Sequence, residues 1–519
     1  MIRARARDCS FGITLFLWIS SAPFLFAQSG EPLHFRVKLA EELANVPQSG
    51  RLLIFLSSST KPEQELRIPF GPDAPHVWVT AREVNDLKPG STVEVYGNEP
   101  SWPTPLAQAS TGDYQAMALL DVKHHYAYNQ DTTGDPRSKV VMLKQLDPAH
   151  GGLVELTLTE RSPEEPIKVE APSEMLDFVS PALSSFWGRP MHMRGVIVLP
   201  PNSSASQKRY PTVYWTHGFG GDLRGIATYV APRYAKSMAS GELPPMIYVL
   251  LDESCPGGTH EFADSANNGP WGRALTRELI PYLEKKYRMQ ARPSGRLLTG
   301  HSSGGWAALW LQVAYPTVFG GTWPTSPDPS DFHNFTGPNL RTAPPQNMYH
   351  DPSGKPWPLV RMGDKEVMSV EDYARQEQVL GEYGGQFSSF NWVFSPRGQD
   401  GRPERLIDPE TGVVDPDVEK AWEKYDIAQI LRQNATRLRP LLQGKIHLTV
   451  GTADTFHLDE PARLLEATMK ELGIKATFTY LPGKSHFDLY KDGLGKQIGK
   501  EMEDTAERGM RAKPAAHAQ

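Results

Sequence analysis

The chain has 519 residues, 39% of them hydrophobic and 10% aromatic, which is enough for a large buried core and too apolar for a disordered chain. Lys and Arg number 54 against 60 Asp and Glu, a net charge of −6, so no basic field awaits a nucleic acid or an anionic membrane. Two cysteines exclude a disulfide framework.

Arg3, Arg5 and Arg7 precede an apolar stretch from Phe11 to Ala27. That is the layout of an export signal, short for a membrane-spanning helix. Cleavage after Ala27 is expected, and an uncleaved N-terminal anchor is the alternative. Losing residues 1–27 removes Arg3, Arg5, Arg7 and Asp8 and takes the net charge to −8. It also removes Cys9, so Cys255 has no partner within the chain. The protein is expected to be secreted or periplasmic, with no membrane association after cleavage.

Residues 31–168 read as a smaller β-rich N-terminal domain. Leu33 to Leu39 and Val154 to Thr159 alternate, Arg51 to Leu56 is an apolar run, and Pro89-Gly90 and Gly151-Gly152 punctuate them. His124-His125 is the only hint of a metal there. Adjacent residues on a strand point to opposite faces, so no metal is expected. The charged, Pro-rich stretch from Arg161 to Pro172 reads as a linker.

Residues 173–508 change to strands alternating with helical segments, the pattern of an α/β fold with an open, mostly parallel, doubly wound sheet. The expected strands are Met193–Leu199, Tyr210–Thr216, Met246–Leu251, Arg296–Thr299, Val318–Trp323, Lys445–Val450 and Ala476–Leu481. Helices are expected over Arg273–Lys286, from about Ser303 to Tyr315, and over Glu460–Leu472. Residues 326–442 form a long insertion rich in Pro, Gly and aromatics, and residues 509–519 a flexible tail.

Gly300-His301-Ser302-Ser303-Gly304 is a G-x-S-x-G between a strand and a helix. A nucleophile elbow needs that context, because only small residues clear the backbone around a serine held in a strained turn. Ser302 alone fits the spacing. Its hydroxyl needs a base, and the base an orienting carboxylate, in the chain order Ser, acid, His. Asp454 lies just beyond one late strand and His486 just beyond the next. Asp459 is the rival acid but opens the following helix and reads as a first-turn residue. The backbone N–H groups of Ser303 and Phe219, the latter in the loop His217-Gly218-Phe219-Gly220-Gly221, are the expected oxyanion donors. His217 is expected to pack beneath that loop, and Cys255 to be a buried thiol. H-E-x-x-H, C-x-x-C and P-loop motifs are absent from the sequence, so neither cofactor nor metal is expected.

Six segments then fall in a recognisable order: Leu183 to Arg189, Tyr214 to Gly221, Asn268 to Gly272 with Glu278 to Tyr282, Gly300 to Gly305, Thr449 to Asp454, and Pro482 to His486. From about Ser173 to Tyr490 the chain resembles the putative-esterase family of α/β-hydrolases. That family holds enterochelin, feruloyl and acetyl-xylan esterases, S-formylglutathione hydrolases and mycolyltransferases. The resemblance implies a serine esterase with Ser302 as nucleophile, Asp454 as acid and His486 as base. The insertion and the N-terminal region depart from the pattern, so the substrate stays open among hydroxycinnamoyl, acetyl-sugar and siderophore esters, as a small molecule or on a polysaccharide. Phe332, Phe335, Tyr349, Trp357, Phe390, Trp392, Phe394 and Trp422 either wall the pocket or form the insertion's own core. An acyltransferase using the same triad and a non-catalytic extracellular binding protein are the other readings. The sequence does not set the oligomeric state.

Overall fold

A computed structural model describes residues 24–25, 32–68, 76–381 and 383–511. Of the expected export segment only Phe24 and Leu25 fall among these; they pair with Leu143 and Lys144. The rest of that segment lies outside the described residues. No helix among the described residues is long and apolar enough to cross a membrane.

Residues 24–161 supply a ten-stranded sheet. Within it Gln48–Ser57 pairs antiparallel with Val77–Leu87 on one side and Gly112–Asp121 on the other. The two-residue period of a strand explains the unbroken apolar run there. Leu52, Ile54 and Leu56 face one core with Ala116, Ala118 and Leu120. Leu53 and Phe55 face the opposite way, with Val79, Met117 and Leu119, into the core shared with the rest of the chain. Polar ties cross the same boundary: the Arg51 guanidinium donates to the carbonyls of Gln378 and Val379, and Trp102 Nε1 donates to that of Asp372.

The second sheet has eight strands: β1 (Ser173–Val179), β2 (His192–Val198), β3 (Thr212–Thr216), β4 (Ile247–Leu251), β5 (Arg296–His301), β6 (Gly321–Thr325), β7 (His447–Gly451) and β8 (Thr477–Leu481), in the order β1-β2-β4-β3-β5-β6-β7-β8. β1 and β2 run antiparallel to their neighbours, and all pairs from β4 to β8 are parallel. This is an α/β arrangement, and three elements differ most from expectation. β1 is an additional edge strand; only Leu176 of its residues is buried, so it lacks the apolar alternation that announces a strand. The helix expected over Arg273–Lys286 starts at Trp271 and contains a π-turn at Leu275–Leu279.

The third difference is a closing helix over Leu494–Arg511, which runs into the expected tail. Leu494, Ile498 and Met502, spaced four apart on one face, pack with Val198, Val213 and Leu250. Gly495, Gly499 and a polar remainder hide that stripe in the sequence.

The insertion is ordered: a hairpin of Pro358–Met362 and Lys365–Ser369, then helices Val370–Leu380, Gln386–Phe394, Pro416–Trp422, Ile427–Gln433 and Ala435–Leu442. Ser369 and Asp372 close a reciprocal capping box at the first of these.

Candidate active site

Ser302 sits between β5 and the helix α1 (Ser303–Ala314) at φ 60°, ψ −126°. A non-glycine residue holds such a backbone only when its surroundings force it. The packing here does so. A Cβ on Gly300 would lie 2.1 Å from the Gly304 carbonyl oxygen, and one on Gly304 would lie 2.3 Å from that of His217. The small residues of the motif are therefore required by backbone contact. Eleven of the twelve α1 residues are buried, which fixes the turn from below. Ser303 is the first residue of α1, so its N–H has no intrahelical acceptor.

His486 and Asp454 come together as expected. Nδ1 of His486 lies 3.0 Å from Oδ2 of Asp454, with the residues 3% and 0% exposed. Burial would raise the Asp454 carboxyl, but the hydrogen bond and charge of His486 outweigh it and hold it below the usual carboxylate range. The Asp454 loop is clamped by Arg361 of the insertion hairpin, whose Nε donates to the Asp454 carbonyl at 2.8 Å. The same guanidinium donates to Asp459 Oδ1 at 3.1 Å, so the rival acid is paired elsewhere. His301 lies against His486 with ring centroids 4.3 Å apart; burial and that neighbour push its pKa down to about 3.

The glycine-rich loop folds over the serine: a Cβ on Gly218 would stand 3.0 Å from that of Ser302. Phe219 follows and lines the cavity above. His217 is buried beneath the loop, its Nε2 3.1 Å from Asp252 Oδ1 and its Nδ1 2.8 Å from the Gly218 carbonyl. Cys255 is half-buried rather than buried as expected, and desolvation pushes its thiol up to about 12.

The sequence reading missed Asp328, just after β6. Ser302 Oγ donates to its Oδ1 at 3.4 Å, and Ser303 Oγ to its Oδ2 at 2.6 Å. Burial pushes this carboxyl up to about 6. Gln386, opening an insertion helix, donates to the same Oδ2 at 3.2 Å. No motif marks Asp328; its position at the carboxyl end of a strand beside the elbow was the available signal.

Ser302 and His486 open onto a cavity of about 650 Å³. Its rings come from five stretches far apart in sequence: Tyr128 in the N-terminal region, Phe219, Phe387 and Phe390 in the insertion, Phe456 beside the Asp454 loop, and Phe487 beside His486. The eight aromatics singled out in the insertion divide otherwise. Phe332, Phe335, Tyr349, Phe390, Phe394 and Trp422 are buried in the core, with centroids 5.0–5.5 Å apart in the pairs Phe332–Phe335, Phe335–Phe390, Phe335–Trp422 and Phe394–Trp422. Of the eight only Phe390 also reaches the cavity, and Trp392 lines a separate one. Ring size favoured burial over display.

The sequence profile described as putative esterase matches residues 184–497. The chain belongs to the putative esterase family. As a member it is a carboxylic ester hydrolase. Solved structures similar to this esterase include a ferulic acid esterase at 15% identity, covering 65% of this chain and 100% of that one with a TM-score of 0.41. An S-formylglutathione hydrolase from Agrobacterium tumefaciens matches at 14% identity, with 65% and 95% coverage and a TM-score of 0.38. A ferulic acid esterase from Anaeromyces mucronatus, in complex with ferulic acid, matches at 13%, with 65% and 93% coverage and a TM-score of 0.33.

Proposed function

We propose that this esterase is exported and works through an acyl-enzyme on Ser302, with His486 as base and Asp454 as its orienting carboxylate. The observation that carries the reading is the buried His486–Asp454 pair at 3.0 Å, opening with the strained Ser302 onto one cavity. The resting serine hydroxyl is turned to Asp328 and swings to His486 Nε2 when substrate arrives. His486 takes the hydroxyl proton as Oγ attacks the ester carbonyl. The N–H groups of Phe219 and Ser303 receive the oxyanion, and the proton leaves with the alcohol. Water, deprotonated by the same imidazole, then releases the acid. Asp454 keeps the proton on Nδ1 and supports the imidazolium that forms.

The cavity favours an aromatic acyl group. Tyr128, Phe219, Phe387 and Phe390 offer rings on several sides, and offset or edge contacts hold a phenolic ring better than an acetyl group. A hydroxycinnamoyl ester is therefore the substrate class we assign. Export rests on the Arg-rich start and apolar stretch of residues 1–27.

The test pairs fluorophosphonate labelling, mapped by peptide mass, with kinetics on methyl hydroxycinnamates and p-nitrophenyl acetate. Adduct on Ser302 and higher kcat/KM for the hydroxycinnamates are expected. No adduct on Ser302 would remove the mechanism, while a preference for acetate would remove only the substrate class. Comparing secreted and retained protein after truncation at Ala27 tests export.

A further inference from the structure

The His124-His125 pair does not lie on a strand, as the sequence suggested. The strand Gly112–Asp121 ends just before it, and His124 takes φ 53°. That turn separates the two side chains. His124 pairs with Glu83 at 2.7 Å, while His125 turns back to Asp121 and Asp135. One nitrogen of His125 and one oxygen from each carboxylate lie within 4.8 Å of one another.

We propose that Asp121, His125 and Asp135 bind a divalent transition-metal ion of the zinc or manganese class, one that fastens the N-terminal region to the wall of the ester-binding cavity. Two unmet polar atoms point to the ligand. Asp135 is wholly buried and its Oδ2 has no hydrogen-bond partner; Nδ1 of His125 is likewise buried without one. Nδ1 stands 3.6 Å from Asp121 Oδ1. That is long for a hydrogen bond, but it matches ligands on one ion, since two atoms held about 2.1 Å from a tetrahedral centre lie roughly 3.4 Å apart.

The surroundings hold the ligands in place. Asp121 accepts from the N–H groups of Lys123 and His125 through Oδ1 and of Tyr126 through Oδ2. Asp135 Oδ1 accepts from Val122 N–H. On the far side of the imidazole, Nε2 faces Asp131 Oδ2 at 3.7 Å, beyond hydrogen-bond distance, so a small turn of the ring towards Asp131 would complete the carboxylate–histidine–metal order. The ammonium of Lys123, a nearby cation, donates to the Thr133 carbonyl. One imidazole and two carboxylates neutralise a divalent ion and suit zinc or manganese better than calcium.

The ligand loop leads directly to the cavity. His125 precedes the short helix Tyr126–Asn129. From it the Tyr128 hydroxyl donates to the Gly221 carbonyl, and its ring stands edge-on to Phe219 at 5.4 Å.

The test is calorimetric titration of the chelator-stripped full chain with ZnCl2, MnCl2 and CaCl2, and hydrogen exchange with and without Zn2+. One equivalent of Zn2+ or Mn2+ is expected, with slowed exchange in residues 121–135 and 217–221. His125→Ala and Asp135→Asn should lose the site, Asp131→Asn should weaken it on the order of 10- to 100-fold, and His124→Ala should keep it. If a variant fails to fold, the wild-type titration and its exchange map still decide. Uptake of neither Zn2+ nor Mn2+, uptake of Ca2+ alone, uptake that survives both ligand substitutions, or protection confined to other segments would each overturn the proposal.

Discussion

The floor of the cavity and its walls are built by opposite rules. The floor is local: Ser302, Asp454 and His486 stand in loops following β5, β7 and β8, and backbone contacts such as Gly304 against His217 set it. The walls are assembled from Tyr128, Phe219, Phe387 and Phe456, which the chain brings together only after the N-terminal sheet and the insertion have packed. On the proposed mechanism, chemistry would be fixed by geometry that tolerates almost no side-chain change, and choice of ester would be spread over replaceable rings.

The contrast can be broken most sharply at Ser302. Ser302→Ala should cut ester hydrolysis by on the order of 10⁶-fold while thermal unfolding stays near that of the wild type. Appreciable turnover by the folded variant would show that the floor is not where the chemistry lies. Next comes Asp454→Asn, expected to cost about 10⁴-fold in kcat. Asp459→Asn, held by Arg361 away from the imidazole, should cost less than about tenfold, because it removes an ion pair rather than a catalytic partner. The reverse ranking in steady-state assays would move the acid.

Wall substitutions should act through preference. Phe387→Ala should lower kcat/KM for methyl ferulate by about tenfold relative to p-nitrophenyl acetate, since one ring contact is worth roughly 1 kcal/mol beyond its buried area. Trp392→Ala, whose ring lines the other cavity, should leave that ratio unchanged. An equal ratio shift in both variants would erase the distinction between wall and core rings.

The smallest effect concerns stability. Glu253 is fully buried with a carboxyl pushed up to about 8 by burial, Glu377 to about 7 and Asp328 to about 6. A raised acid keeps its proton in the folded chain after the unfolded chain has lost it. Stability is therefore full below the ordinary value near 4.5 and declines as pH rises towards 8. The melting temperature should fall between about pH 5 and pH 8, and Glu253→Gln should flatten that slope. A wild-type curve that rises over this range would contradict the assignment.

These differences also explain what could be read in advance. Strands β5, β7 and β8 and the elbow were legible because each is a short apolar run closed by a turn motif, and Asp454 and His486 follow such turns. Tyr128 was not, because only the placement of the N-terminal sheet gives it a cavity to face. Asp328 follows β6 without any glycine pattern to mark it. The insertion's rings looked like a display surface because their number is visible in the sequence, whereas their mutual packing is not. β1 and the closing helix escaped because edge exposure and interspersed glycines dilute the period that would reveal them.

The two-faced strand Gln48–Ser57 has a consequence for how the molecule is made. One of its faces is covered by neighbours synthesised within the next hundred or so residues. The other, with Leu53 and Phe55, joins a core that includes Val370, Ala374 and Val379, which do not exist until most of the chain has left the ribosome. For that interval the nascent protein carries an apolar sheet face covered only in part, by Tyr126 against Phe55, the kind of surface that associates with itself. Co-translational holding of the nascent chain, rather than the equilibrium stability of the finished fold, should then limit the yield of active enzyme. Slowing synthesis before Val370 should lower that yield more than slowing it afterwards.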